Sequence, residues 1–171
     1  MFEFVEAAYP HPLRSFGEQV LNDSFPTEER PALTDLRARK NPAFHFDIVQ
    51  DNGIPIGILT HWDFPTFTYI EHFAILEELR NKRLGGCVLD QFTRGNRLVV
   101  LEAELPENEI ARRRLNFYQR HGLIIAPYPY IQPAYAEGLP SVPLHILSTQ
   151  RISLILFEEI KQTLYANVYN R

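Results

Sequence analysis

The stretch TYIEHFAILEELRNKRLGGCVLDQ, from Thr68 to Gln91, runs from a strand-like segment through a basic, glycine-containing turn straight into an amphipathic helix. That order builds an anion site. A helix opening behind a tight turn presents backbone N–H groups that lack helical acceptors, together with the positive end of its dipole. Phosphate oxygens bind such a spot without a dedicated side chain. Arg80, Lys82 and Arg83 add positive charge there, and Gly85 and Gly86 let a ligand approach the backbone closely. A second chemical feature is the pair Glu102 and Glu104, which continues the apolar strand face of Leu98 and Val100 under period-two alternation. A carboxylate ending an apolar face suits recognition of an amine, and Glu102 is the candidate. Glu104 reads instead as the point where the strand emerges into solvent.

The remaining reactive residue types carry less. The six histidines, His11, His45, His61, His72, His121 and His145, show no paired zinc spacing, so no metal is expected. His72 adjoins Glu71 on the opposite strand face and reads as a packing histidine. Cys87 falls on the inner stripe of its helix with no histidine-asparagine signature nearby, which predicts a buried thiol rather than a nucleophile. Arg112, Arg113 and Arg114 are spread around a helix circumference, so they read as a solvated face rather than an RNA contact.

Composition bounds the rest. A chain of 171 residues that is 45% hydrophobic can bury a core, and its length favours one domain, residues 1–171. A formal net charge of −4 gives no global attraction for nucleic acid or an anionic membrane. No apolar run is long enough to span a bilayer, and the start MFEFVEAAYPHP carries neither a secretion nor a transit pattern. A single cysteine cannot form an internal disulfide and suits a reducing cytoplasm.

Strands and helices alternate along the chain. Phe2 to Ala7 predicts a strand, and Leu13, Phe16, Val20 and Leu21 have helix-like spacing; a polar helical patch comes next at Thr34 to Lys40. Phe44 to Gln50 and Ile54 to Phe64 read as strands joined by Asp51, Asn52 and Gly53, since Asn-Gly between apolar runs favours a hairpin. Thr68 to Leu76 is the next strand. Leu84, Val88 and Phe92 make a helical stripe that Gly95 can stop, and Arg97 to Leu105 is a further strand. Ile110, Ala111, Leu115, Phe117 and Tyr118 mark the inner surface of a helix capped by Asn108 and closed by Gly122. Leu123 to Ile125 and Val142 to Ser148 predict strands around the loop APYPYIQPAYAEGLPS. A last helix carries Ile152, Leu156, Ile160 and Leu164, with Thr149 as its cap. The result is one mixed α/β domain, a core over residues 1–148 with a terminal helix appended over 149–171.

Two blocks resemble the GNAT-type N-acetyltransferases. FAILEELRNKRLGG is similar to that family's acyl-CoA signature, Arg/Gln-x-x-Gly-x-Gly/Ala between strand and helix, with Arg80 in first place, Arg83 where the first glycine is usual, and Gly85 in the last. RRRLNFYQRHGL resembles its second signature, with Phe117, Tyr118, Gly122 and Leu123 in the matching places. Departures are Ala111 and Arg114, where the family often has asparagine and alanine. The likeness runs from about Phe2 to Ser148, and the closing strand and helix are similar to an uncharacterised bacterial subgroup.

The resemblance implies a mainly antiparallel central sheet flanked by helices and the use of acetyl-CoA. Phe73, Ala74 and Ile75 would bind the pantetheine arm as if it were another strand, holding the thioester beside an acceptor amine. Arg80, Asn81, Lys82, Arg83, Leu84, Gly85 and Gly86 would hold the pyrophosphate. Tyr118 matches the family's general acid, and Glu71, just upstream of the thioester-holding segment, is the expected base. Glu102, Gln132 and Tyr135 would line the acceptor side, for a primary amine of a small molecule or peptide. A non-catalytic acyl-CoA binding or sensing domain is the alternative. Nucleic acid and membrane are not expected partners, and the apolar terminal helix leaves a homodimer open.

Overall fold

Asn52 and Gly53 adopt φ of 51° and 76°. Two successive left-handed residues give the type I′ turn whose twist matches that of paired strands, so the Asn-Gly dipeptide fixes a hairpin between β2 (Phe44–Asp51) and β3 (Ile54–Asp63). The computed structural model describes every residue from Met1 to Arg171 and divides them into two units, Met1–Val99 and Val100–Arg171.

In the first unit the hairpin is extended by β1 (Phe2–Glu6) on one side and β4 (Thr68–Ile75) on the other, in the order β1-β2-β3-β4, with every pairing antiparallel. Its helices are α1 (Arg14–Ser24), α2 (Leu33–Ala38) and α3 (Leu84–Gly95). Val20 and Leu21 of α1 and Leu36 of α2 pack on Phe46, Ile48, Ile58 and Ala74 as one apolar cluster. Close approach of α1 requires Gly17, since a Cβ there would lie 2.4 Å from the Phe46 ring.

The β3–β4 register contains the irregularity that matters most. Thr60 pairs with His72 and His61 with Ile70, which leaves Glu71 as an extra residue in β4. Such a bulge bends its strand and re-aims the side chains around it. Farther along the same pair, a Cβ on Gly57 would lie 2.2 Å from the carbonyl oxygen of Ala74, so only glycine permits this approach of the two backbones.

The second unit is organised by β8 (Val142–Ser148), which pairs antiparallel with β5 (Val99–Glu104), β6 (Ile124–Ile125) and β7 (Tyr130–Gln132). Its helices are α4 (Glu109–Arg120) and α5 (Leu154–Asn167). Asn108 caps α4 as expected, its side chain accepting from the Ala111 N–H at 2.8 Å. Gly122, at φ 83°, ends it: Leu123 N–H reaches the Tyr118 carbonyl and Gly122 N–H that of Gln119, the paired bonds of a Schellman stop.

Several expectations need correction. Tyr130–Gln132 forms a strand inside the expected loop, because alternate residues Tyr130 and Gln132 are buried while Ile131 faces out. Ile110 is 70% exposed, since the buried face of α4 is Ala111 and Leu115. Ser153, not Thr149, caps α5, accepting from the Leu156 N–H at 3.2 Å. That helix buries Phe157, Ile160 and Leu164, with the rings of Tyr128 and Tyr130 against Phe157. No helix is long and apolar enough to cross a membrane.

Candidate active site

β4 ends at Ile75, and a short 3-10 turn, Glu77–Leu79, leads to Arg80. Asn81 and Arg83 then take φ of 64° and 62°. A left-handed non-glycine residue costs up to about 1–2 kcal/mol, less for asparagine, and successive residues of opposite hand are the backbone conformation of anion-binding nests. Arg83 therefore stands where glycine would be easy and still adopts glycine's conformation. Cys87 N–H is the first in α3 to find a helical acceptor, the Arg83 carbonyl at 3.2 Å. The N–H groups of Leu84, Gly85 and Gly86 open the helix ahead of it.

Asn81, Lys82 and Arg83 are exposed, Leu84 and Gly85 half-buried, and Gly86 buried. Arg80 departs from its expected place. Its Nε donates to the Ile75 carbonyl at 3.1 Å and its Nη2 lies 3.4 Å from Ser24 Oγ, so it braces the strand end while Lys82 and Arg83 bring the charge. Cys87 also corrects an expectation: the buried residues of α3 include Val88, Leu89 and Phe92, and the thiol is exposed.

Glu71, at the bulge, has a side chain with no solvent exposure. Arg39 Nη1 and Nη2 donate to its two oxygens at 2.6 and 3.0 Å, and the Trp62 indole N–H donates at 2.7 Å. Burial alone would push the carboxyl up; Arg39's charge and these hydrogen bonds overcome it and hold the group at about 2. Arg39 is the first of the charges that lower the carboxyl's pKa and His72 the second, while burial lowers the pKa of His72 itself. A carboxylate held this firmly as an anion is a weak proton acceptor, and the role of base is not carried forward for Glu71. His72 is a packing histidine as expected, bonded to Thr60 Oγ1 at 3.0 Å and to the Glu29 carbonyl at 3.1 Å. Phe73 is half-buried, and Ala74 and Ile75 are buried.

Tyr118 is half-buried on α4, its ring edge-on to Phe117, and its hydroxyl makes no hydrogen bond within the chain. Burial raises the phenol's pKa, Arg114 works against that rise, and Glu104 adds to it. Arg114 and Glu104 are themselves paired at 2.7 Å, so neither is the purely solvated charge that the sequence suggests.

Of the candidate acceptor residues, Glu102 and Tyr135 come together through Tyr169. Glu102 accepts hydrogen bonds from the Tyr130 and Tyr169 hydroxyls, the latter at 2.7 Å, and the Tyr135 ring lies 5.1 Å from that of Tyr169. Desolvation and the carboxylate push the Tyr130 phenol far up. Gln132 is buried in β7, opposite Val142. Sequence reasoning missed Arg39, Trp62, Tyr130 and Tyr169. For Trp62 and Tyr130 a signal existed, because a buried aromatic with a polar tip needs a partner.

The left-handed turn between β4 and α3, followed by helix-opening N–H groups, is an arrangement that suits an anion. The model of the acetyltransferase (GNAT) family matches residues 6–123, and the chain belongs to that family. A Bacteroides thetaiotaomicron protein assigned to GNAT acetyltransferases is 36% identical, with a TM-score of 0.92 over 100% of this chain and 99% of that one. A GNAT family acetyltransferase from Elizabethkingia anophelis, solved with acetyl-CoA bound, shares the fold at 17% identity and TM-score 0.57, covering 88% and 97% of the two chains. One from Streptococcus pneumoniae does so at 15% identity and TM-score 0.56, covering 86% and 98%. A search of curated proteins finds no match.

Proposed function

We propose that this acetyltransferase uses acetyl-CoA as donor and acetylates a primary amine of a small molecule or peptide by direct attack within one ternary complex. The observation that carries the reading is the left-handed Arg83, which preserves a phosphate-binding turn despite the missing glycine. The residues present fit the donor. The N–H groups of Leu84, Gly85 and Gly86, with the exposed charges of Lys82 and Arg83, suit its pyrophosphate. Backbone groups of Phe73, Ala74 and Ile75 serve the pantetheine arm. Held by these contacts, the donor supplies an activated thioester carbonyl at a fixed position.

Tyr118 Oη holds the proton that the departing sulfur takes. Burial keeps the phenol protonated at neutral pH, and Arg114 favours the phenolate left behind. Glu102, bonded by Tyr130 and Tyr169 with Tyr135 against Tyr169, would form the acceptor side with Gln132 and attract a cationic amine. That amine would release a proton to water before its lone pair attacks, and the proton lost from the acylated nitrogen would also leave to water. The test is Tyr118→Phe, assayed by thiol release with an amine panel and by calorimetry with acetyl-CoA. Acetyl-CoA binding is expected to persist while kcat falls about 100-fold or more. Unchanged turnover would remove Tyr118 from the chemistry, and a wild-type protein that fails to bind acetyl-CoA would overturn the reading itself.

A further inference from the structure

Glu71 is the one bulged residue of β4 between Ile70, which pairs with His61, and His72, which pairs with Thr60. A bulge sets the direction of the strand beyond it, and in β4 that strand is Phe73, Ala74 and Ile75. Two side chains grip the bulge on its Glu71 face. Arg39 makes a two-point bond at 2.6 and 3.0 Å, and the Trp62 indole donates at 2.7 Å. Arg39 in turn lies against two aromatic rings, its guanidinium 4.7 Å from Phe44 and 5.0 Å from Trp62, which are themselves 5.0 Å apart. Because Arg39 comes directly after the last residue of α2, the ion pair ties the end of that helix to the strand.

The opposite face is pinned as well, by His72 bonds to Thr60 and the Glu29 carbonyl and by the Phe25 ring at 4.9 Å. Downstream, Arg80 Nε holds the Ile75 carbonyl at 3.1 Å. The segment from 73 to 75 is thus fixed at both ends, and only Arg39–Glu71 does so with a buried, bidentate charge pair.

We propose that Arg39, Glu71 and Trp62 form a positioning clamp for the donor: the ion pair sets the β4 bulge and so aligns the backbone of Phe73, Ala74 and Ile75 that receives the pantetheine arm. This rests on the proposed use of acetyl-CoA. Glu71 is then a positioning residue, and its chemistry is exerted through the backbone rather than by taking a proton.

The experiment measures acetyl-CoA affinity by calorimetry, steady-state kinetics and the pH–rate profile for wild type, Glu71→Gln, Arg39→Lys and Trp62→Phe. Glutamine keeps the shape of Glu71 and lysine the charge of Arg39, but neither restores the two-point bond. For Glu71→Gln and Arg39→Lys the dissociation constant and KM for acetyl-CoA are expected to rise about tenfold, with kcat changed less than about threefold and the pH profile keeping its shape. Trp62→Phe, which removes one donor, gives a smaller shift in the same direction. Folded variants with wild-type affinity would overturn the clamp. So would a Glu71→Gln variant with unchanged KM, a large fall in kcat and a lost acidic limb, since that is the behaviour of a base. Should Glu71→Gln not fold, Arg39→Lys and Trp62→Phe decide the matter by the same readouts. Absence of acetyl-CoA binding by wild type is a different failure, that of the donor assignment.

Discussion

Glu71 in the first unit and Glu102 in the second are both strand carboxylates whose oxygens are engaged by side chains, yet their partners differ in kind. Glu71 meets a guanidinium and an indole; Glu102 meets two phenols. A charged partner neutralises the anion and holds its pKa low, so the pair acts as a fixed strut. Phenols satisfy lone pairs without neutralising the charge, and burial together with the Glu102 carboxylate makes Tyr130 a far weaker acid. The difference suits the first carboxylate to structural work and the second to the cation recognition proposed for it.

The largest expected effect comes from removing one partner of each. Arg39→Ala leaves a buried carboxylate without its charged partner, which should cost about 3–5 kcal/mol. Tyr169→Phe removes one neutral donor from Glu102 and should cost about 1.5–3 kcal/mol. Urea denaturation of both variants checks the ranking, and equal losses would break the distinction between the two sites. The double variant Arg39→Met with Glu71→Leu should recover most of the first loss, because well-packed apolar groups replace buried ion pairs at little cost.

Acid dependence sharpens the comparison next. An unfolded glutamate titrates near roughly 4.3, whereas Glu71 in the fold titrates at about 2. The folded form thus keeps its charge where the unfolded form takes up a proton, so the contribution is complete above the unfolded value. It is lost as pH falls toward 2, by roughly 3 kcal/mol in all. His72 works in the same direction at higher pH: burial lowers its pKa, so stability declines once pH drops below the ordinary histidine value. Urea midpoints from neutral pH to about 3 should show both declines. Glu71→Gln should flatten the more acidic decline and, because the Glu71 charge raises the His72 pKa, deepen the histidine one; a Glu71→Gln curve parallel to wild type would mean that the ion pair is not what titrates.

How much of the molecule is legible in its sequence depends on the range of the interaction concerned. Asn52-Gly53, the Asn108 cap and the Gly122 stop are local chemistry, and each lies where expected. The turn ahead of α3 is likewise marked by spacing, although its left-handed Arg83 is not. Arg39–Glu71 spans 32 positions and Glu102–Tyr169 spans 67, and no periodicity encodes such partners. Cys87 and Ile110 lie off their expected faces for a related reason: a helix pattern gives a stripe, and tertiary packing chooses its exact phase. Tyr130–Gln132 is masked by flanking prolines that read as loop, while its pairing with β8 is a nonlocal fact.

A third carboxylate, Glu104, supplies the smallest and most specific test. Its partner Arg114 is 41% exposed and Glu104 itself 35%, so water screens the pair and Arg114→Ala should cost only about 0–1 kcal/mol. The same guanidinium holds down the Tyr118 phenol, whereas Glu104 pushes it up. Removing Arg114 deletes the favourable charge and leaves the unfavourable one, and both changes raise the phenol's pKa. Ultraviolet titration of Arg114→Ala against Tyr118→Phe should therefore show one tyrosine ionising at higher pH than in wild type, with stability nearly unchanged. A fall in that pKa, or a stability loss comparable with Arg39→Ala, would mean that the half-exposed pair behaves like the buried one and that solvent exposure does not separate the roles of these carboxylates.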